Sequence, residues 1–118
     1  MINSYKDLEV YTRSYKITLE TNLLVKKFPQ EEIFGITSQM KRASLSIPLN
    51  IAEGYGKKAN VADFKRFLKM AIGSCNEMSV LISFSKDMMY ITAEEHEKLN
   101  QEYEELGKML NSMVHKWK

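Results

Sequence analysis

The clearest hydrophobic pattern in the chain lies between residues 60 and 90. Apolar and small residues recur there at alternating steps of four and three, a spacing typical of helices that pack at shallow angles. A second apolar line runs beside the first from Phe67 to Met88. Asn60, followed three residues later by Asp63, predicts the N-terminal cap of this helix. The first line comprises Phe64, Leu68, Ala71, Cys75, Met78, Ile82, Ser85 and Met89.

A first helix is predicted to begin near Tyr5. Ser4 and Asp7 have the spacing of a capping box. The helix should end near Phe28, because Pro29 follows it. Apolar residues cover more than half of its circumference and form two lines. One line is Val10, Ile17, Leu24 and Phe28, and the other is Leu8, Tyr11, Tyr15, Leu19 and Leu23.

Two further helices complete the pattern. The second is predicted to start with Thr37 or Ser38 as its cap and to end at Gly54 in the usual role of a C-terminal glycine. The fourth starts at Thr92, with Glu95 completing a capping box. Its apolar line again alternates steps of four and three up to residue 117.

Four helices joined by short loops predict an all-α, antiparallel up-down-up-down four-helix bundle. The 118 residues form a single domain, residues 1–118, with only five glycines and two prolines. Helices one and three each carry two apolar lines, whereas a helix of an isolated bundle buries one. The second lines therefore predict a homo-oligomer, preferably a closed ring. The alternative is a monomer with an unusually thick core.

The second helix contains Pro48 well inside its predicted span. A proline at this position removes one backbone hydrogen bond and costs about 3 kcal/mol. The carbonyl that loses its partner is that of Ser44. We expect a kink there, or a side chain or water that replaces the missing donor.

A polar line runs along the same helix, close to its apolar line. Ser74 and Glu77 on helix three could face it. Such residues more often form a buried hydrogen-bond network that fixes helix register than an active site. The line consists of Arg42, Ser46, Asn50 and Glu53.

The remaining reactive residues do not form a catalytic, cofactor or metal site. His96 and His115 are too far apart for one helical turn, and neither has the Glu-x-x-His spacing of di-metal bundles. Cys75 lies on an apolar line and should be a buried hydrophobe. The segment 54–59 matches a dinucleotide fingerprint only superficially, because no strand precedes it. We therefore predict no enzyme activity, no cofactor, no metal and no small-molecule substrate.

Basic residues cluster between the second and third helices, where Asp63 is the only acid. Tyr55 could supply a ring that stacks on a base. In a ring-shaped oligomer every subunit would add its cluster to one rim, giving a multivalent nucleic-acid surface. The alternative is an ordinary solvated loop. The candidate contacts are Tyr55, Lys57, Lys58, Lys65, Arg66 and Lys69.

The charge and cysteine content add little to this picture. The formal net charge of +2 is too small to establish a nucleic-acid partner by itself. A single cysteine and the absence of a signal peptide or long apolar run predict a cytoplasmic protein that does not enter the membrane.

The segment from Ile36 to Gly54 resembles the hallmark of the four-helix-bundle proteins named after the intervening sequences of bacterial 23S rRNA genes. The similarity extends to residues 5–11 and to Phe34-Gly35. It continues through helix three and residues 106–110, so that it covers nearly the whole chain. The family motif residues present here are Arg42, Ser46, Pro48, Asn50, Glu53 and Gly54.

The resemblance implies a homopentameric barrel without enzyme activity, in which those motif residues are structural. The same family includes the accessory variability determinant of diversity-generating retroelements. For those members, the resemblance implies a basic surface that binds a reverse transcriptase and nucleic acid. We therefore expect a non-catalytic protein that binds RNA, DNA or a nucleic-acid-processing protein through a basic rim. The alternative is a scaffold with no affinity for nucleic acid.

Overall fold

The computed structural model describes all 118 residues and contains four α-helices and no strand. Helix α1 spans Glu9–Leu24, α2 spans Ile36–Gly56, α3 spans Val61–Asp87 and α4 spans Ala93–Lys116. The predicted all-α class and the number of helices are thus confirmed. None of the four helices combines the length and the apolar character that crossing a membrane requires.

Successive helices run in opposite directions. The ring of Phe28, after α1, lies 5.3 Å from that of Tyr90, just before α4. At the other extreme, Phe64 at the start of α3 lies 4.8 Å from Trp117 at the end of α4. One end of the bundle therefore carries the α1–α2 and α3–α4 connections. We call this the two-loop end, and we call the opposite end, with the α2–α3 turn and both chain termini, the terminal end.

The first predicted boundary differs from the structure. Ser4 and Asp7 do form a capping box, but it caps a single 3-10 turn, Tyr5–Asp7. Leu8 then adopts an extended conformation that places its side chain in the core, and α1 starts only after it. The predicted cap of α3 at Asn60 and the predicted capping box of α4 at Thr92 are both confirmed.

The ends of α2 also differ from the prediction. Its cap is Gly35, and neither Thr37 nor Ser38 has that role. The helix does not stop at Gly54 but continues to Gly56, and no glycine in the chain has a positive φ. The expected C-terminal role of Gly54 was therefore wrong, and its actual role concerns the packing of α2 on α3.

The core follows the main apolar line of α3. Seven of its eight residues are buried, and Phe64, Leu68, Met78 and Ile82 have no exposed surface. The exception is Met89, which is 89% exposed because α3 has already ended and its backbone turns into the left-handed region, with φ of 64°. The apolar line of α3 therefore predicts the core residues correctly from Phe64 to Ser85, up to the end of the helix.

The hydrogen bond lost at Pro48 is replaced from the neighbouring helix. The Thr18 hydroxyl on α1 lies 2.9 Å from the carbonyl oxygen of Ser44 and 2.8 Å from that of Ser14, and it shares its one hydrogen between these two acceptors. Thr18, Ser44 and Pro48 are all buried, and α2 is continuous through the proline. A compensating side chain was one of the predicted outcomes, and it is the one observed. It also ties α1 to α2 at mid-height.

Replacing Thr18 by valine should lower the free energy of unfolding by about 2 kcal/mol, because the Ser44 carbonyl stays buried without a donor. Urea denaturation at fixed protein concentration measures this. Thr12→Val is the matched control. Thr12 is exposed and its hydroxyl contacts only the carbonyl oxygen of Leu8, the residue before α1, so the change should stay within about 0.5 kcal/mol.

The effect of Thr18→Val should also be measured in a Pro48→Ala protein, because this comparison tests whether Thr18 compensates for the proline. An alanine at this position regains an N–H that can reach the Ser44 carbonyl. The cost of Thr18→Val should therefore fall by about 1 kcal/mol or more in the Pro48→Ala protein. An equal cost in both backgrounds would show that Thr18 does not compensate for the proline.

Candidate nucleic-acid interface

The predicted basic residues lie together at the terminal end of the bundle. Lys57 is the C-cap of α2, and Lys58 follows in the turn that leads to α3. The Asn60 side chain accepts a hydrogen bond from the Asp63 amide at 3.1 Å and fixes the start of α3. The first turns of α3 then present the other three cations. We call this set the basic cluster; it consists of Lys57, Lys58, Lys65, Arg66 and Lys69.

Two aromatic rings organise this cluster. The Arg66 guanidinium carbon lies 4.5 Å from the ring centroid of Phe67, and the Lys57 ammonium lies 5.6 Å from the same ring. The Lys58 ammonium lies 4.1 Å from the ring centroid of Tyr55. Such cation–π contacts favour defined positions for charges that stay solvated. The cluster is thus partly pre-organised rather than a set of free side chains.

Few acids oppose these charges. Arg66 Nε lies 3.8 Å from Asp63, and the four lysines of the basic cluster form no ion pair. Lys57, Lys58, Arg66 and Lys69 are exposed, and Lys65 is half-buried. The cluster therefore presents positive charge to the solvent at this end.

Tyr55 does not fulfil the predicted role of a stacking platform. Its side chain is only 7% exposed, and the edge of its ring packs against Phe64 with centroids 6.2 Å apart. The helix extends two residues further than predicted, so Tyr55 lies on the inner face of α2. The ring supports Lys58, and it is not available to a base.

The end of α4 adds charge that the sequence analysis missed. The contact between Trp117 and Phe64 brings the last turn of α4, with His115 and Lys116, to the terminal end. The predicted antiparallel order already implied this neighbourhood, because α4 must end where α3 begins. The position of His115 and Lys116 could therefore have been predicted from the order of the helices, although no local sequence motif indicates it.

The predicted polar line of α2 divides into two parts. Arg42 forms an ion pair with Glu77 on α3, and Ser46 Oγ lies 2.7 Å from Ser74 Oγ. These contacts join α2 to α3 as expected, but the Arg42–Glu77 pair lies at the surface, so the line does not form the buried network that was predicted. Asn50 is half-buried and Glu53 is exposed, and neither side chain makes a hydrogen bond or ion pair within the chain.

Gly54 controls how closely α2 and α3 approach. A Cβ atom at this position would lie 2.7 Å from the Cβ of Phe67 and 3.1 Å from the ring of Phe64. No real side chain tolerates such contacts, so only glycine permits this spacing. By comparison, a Cβ at Gly56 would meet no atom within 4 Å.

The acidic residues of α4 are divided between ion pairs and a carboxylate pair. Glu95 pairs with Lys27, and Glu105 lies 3.5 Å from Arg13 on α1. Glu102 faces Glu20 of α1. Desolvation, followed by its hydrogen bond to Glu20 and the charge of Glu20, raises the pKa of Glu102 to about 7. The α1–α4 side therefore carries charges of both signs, many of them paired, whereas the basic cluster is mostly unpaired positive charge.

The other reactive side chains are a buried thiol and one serine–histidine pair. Burial raises the pKa of the Cys75 thiol to about 12, which agrees with its expected role in the core. Ser83 Oγ lies 3.3 Å from His96 Nε2, a pair the sequence analysis missed, but no carboxylate contacts the imidazole to orient it. No three residues among His, Cys, Asp and Glu are grouped so as to hold a metal ion.

Two apolar surfaces remain exposed on the sides of the bundle. The first, the α1 face, carries Tyr15, Leu19 and Leu23, which are 48%, 53% and 65% exposed. The second, the α2–α3 face, lies beside the Arg42–Glu77 pair. Exposed apolar strips of this length are unusual on a monomer. The apolar residues of the α2–α3 face are Leu45, Leu49, Met70, Phe84 and Met88.

Comparison with known proteins agrees with this geometry. Residues 6–112 match the family model of the 23S rRNA-intervening sequence proteins. The chain therefore belongs to the 23S rRNA-intervening sequence protein family. No curated protein matches the sequence.

A solved structure shares the fold. It is described as a protein of unknown function from the S23 ribosomal protein family of Bacteroides thetaiotaomicron VPI-5482. It is 27% identical and superimposes with a TM-score of 0.80, over 90% of this chain and 95% of that chain.

Proposed function

We propose that this chain assembles into a closed ring and binds nucleic acid, without catalysis, through a rim made of the basic clusters. The observation that carries this proposal is the gathering of five cations at one end of the bundle, four of them without an ion pair. Phosphate contacts from such residues supply most sequence-independent affinity for nucleic acids.

The two lateral apolar faces support the ring. They differ in composition and lie on different helices, so a contact between the α1 face of one copy and the α2–α3 face of the next is heterologous. Repeated heterologous contacts close into rings when the rotation between copies permits it. We propose five copies, as the resemblance to the family implies. Asn50 and Glu53, which lack partners within the chain, then become available for contacts between copies.

A ring would also explain how a chain with a net charge of only +2 binds nucleic acid. A single cluster of five cations gives weak binding at physiological salt. Several clusters on one rim bind the same strand with a high effective concentration, so affinity rises without any new type of contact. The rim lies at the terminal end, whereas the six glutamates of α4 lie between residues 94 and 105, in the part of the helix that starts at the two-loop end.

The competing proposal is a scaffold that binds a protein and has no affinity for nucleic acid. A third possibility combines the two proposals: the partner is a protein, but one that itself processes nucleic acid, such as a reverse transcriptase. The exposed apolar faces are the features that favour a protein partner. Direct measurement of nucleic-acid binding separates these possibilities.

The oligomer prediction concerns mass in solution. Light scattering after gel filtration should give about five times the 13.7 kDa of the chain. Leu19→Ser/Leu23→Ser on the α1 face and Leu45→Ser/Leu49→Ser on the α2–α3 face should each give 13.7 kDa, because one half of every contact is lost. Phe34→Ser is the control, since Phe34 is 94% exposed and lies in the connection between α1 and α2, outside both faces.

Mixing the two double variants tests the heterologous contact itself. Each retains the face that the other lacks, so an equimolar mixture should form a dimer that cannot grow further. A wild-type protein that stays monomeric at micromolar concentration would contradict the ring. Variants that form homodimers on their own would contradict the heterologous arrangement.

The nucleic-acid prediction concerns the salt dependence of binding. Fluorescence anisotropy of a labelled structured RNA and of a DNA duplex should show binding that weakens steeply as salt increases, because phosphate contacts release counterions. Lys57→Glu/Lys58→Glu should weaken binding by about 100-fold or more.

Lys86→Glu/Lys108→Glu is the matched control, because it changes the net charge equally at exposed lysines outside the basic cluster. It should retain most of the affinity. The absence of binding at low salt, or equal losses in the two double variants, would contradict the basic rim. The scaffold proposal would then stand in its place.

A further inference from the structure

We propose that Trp117 is a stacking platform for an unpaired base of the nucleic acid that the basic cluster binds. The inference rests on the proposed nucleic-acid binding and narrows it to single-stranded segments, whose bases are free to leave their neighbours and stack on a protein ring. It gives to Trp117 the role that the sequence analysis assigned to Tyr55, whose ring is buried.

Trp117 lies beside the basic cluster. Its ring centroid is 4.8 Å from that of Phe64, and the two ring planes meet at 88°. Phe64 is followed directly in α3 by Lys65 and Arg66, two members of the cluster. A strand whose phosphates contact these cations can therefore place one of its bases at the indole.

The aromatic rings inside the basic cluster are not open to a base. Phe64 has no exposed surface, and Tyr55 and Phe67 are only 7% and 6% exposed. Two cations of the cluster also lie over the ring of Phe67. Trp117 is half-buried, so part of its indole remains accessible to a ligand.

An open cavity of about 190 Å³ lies beside Trp117, along the last two turns of α4. Met109 and Met113 give it an apolar lining, and Ser112 and Lys116 add polar groups. Thioethers make favourable contacts with aromatic rings. The volume lies below the range of about 300–1,000 Å³ that is typical of pockets enclosing a whole ligand. A small, open, apolar cavity beside an indole suits the flat face of a single base.

The polar groups at the cavity match the phosphate that accompanies such a base. Lys116 lines the cavity, no acidic residue does, and the Lys116 ammonium forms no ion pair within the chain. The indole N–H of Trp117 finds no acceptor within the chain and is not fully buried. An accessible ring, a free cation and a free donor therefore occur together, as in sites for single-stranded nucleic acids.

Intrinsic fluorescence tests the site directly, because Trp117 is the only tryptophan in the chain. The protein is excited where bases do not absorb and is titrated with an unstructured single-stranded RNA and with a DNA of the same sequence. Either strand should quench Trp117 over the concentrations at which anisotropy shows binding, and quenching by either supports the site. A duplex of equal length, and an abasic strand with the same number of phosphates, should bind without comparable quenching.

Variants test how much the ring contributes to affinity. Trp117→Leu should weaken single-strand binding by about tenfold or more, as expected for one stacked base. Trp117→Phe keeps a ring and should retain most of the affinity. Phe34→Leu is the matched control, because it removes a 94% exposed ring at the two-loop end and should bind as the wild type does. Trp117→Leu should leave the salt dependence unchanged, whereas Lys57→Glu/Lys58→Glu should reduce it.

Three results would overturn the stacking role while leaving the basic rim in place. They are binding without quenching of the wild-type protein, equal quenching by the duplex or the abasic strand, and wild-type affinity in Trp117→Leu. The first two use only the wild-type protein, so they do not depend on how well a variant folds. The absence of binding by every probe at low salt would instead overturn the proposed nucleic-acid binding, and this inference with it.

Discussion

The hydrogen bond from Thr18 to the Ser44 carbonyl is the constraint on which the arrangement of α1 and α2 depends. Pro48 removes the normal donor to that carbonyl, and the site is buried. The replacement observed is the Thr18 hydroxyl at 2.9 Å, and α1 must keep the rotation and height that supply it. Ser46 and Arg42 then fix α2 against α3 through Ser74 and Glu77. The second helix is thus held by polar contacts on both sides.

This arrangement separates the surfaces proposed to act. Gly54 allows α2 and α3 to approach closely at the terminal end, where the basic cluster lies. The apolar α1 and α2–α3 faces occupy the sides, and the cavity beside Trp117 lies at the terminal end with the basic cluster. The proposed assembly and the proposed nucleic-acid binding therefore involve different parts of one small bundle.

Much of the fold follows from local sequence rules. The apolar line of α3 identifies the core, and the caps at Asn60 and Thr92 fix two helix starts, because both depend on residues three or four positions apart. The Ser44 carbonyl was identified for the same reason. Its partner Thr18 was not, because that contact joins residues 26 positions apart.

The candidate site was less accessible to sequence reasoning. The cations of the basic cluster are near each other in the chain, so their proximity was predictable. The burial of Tyr55 and the packing role of Gly54 depend on where α2 ends and how closely it meets α3, which local patterns do not determine. The contact between Trp117 and Phe64 likewise depends on how closely the end of α4 meets the start of α3.

The most direct test of the account compares RNA affinity in the assembled and monomeric states. Leu19→Ser/Leu23→Ser leaves the basic cluster intact and changes no charge. If the clusters act together on one rim, this monomeric variant should bind RNA about 100-fold more weakly than the wild type at the same salt concentration. Equal affinity per subunit would contradict the multivalent rim.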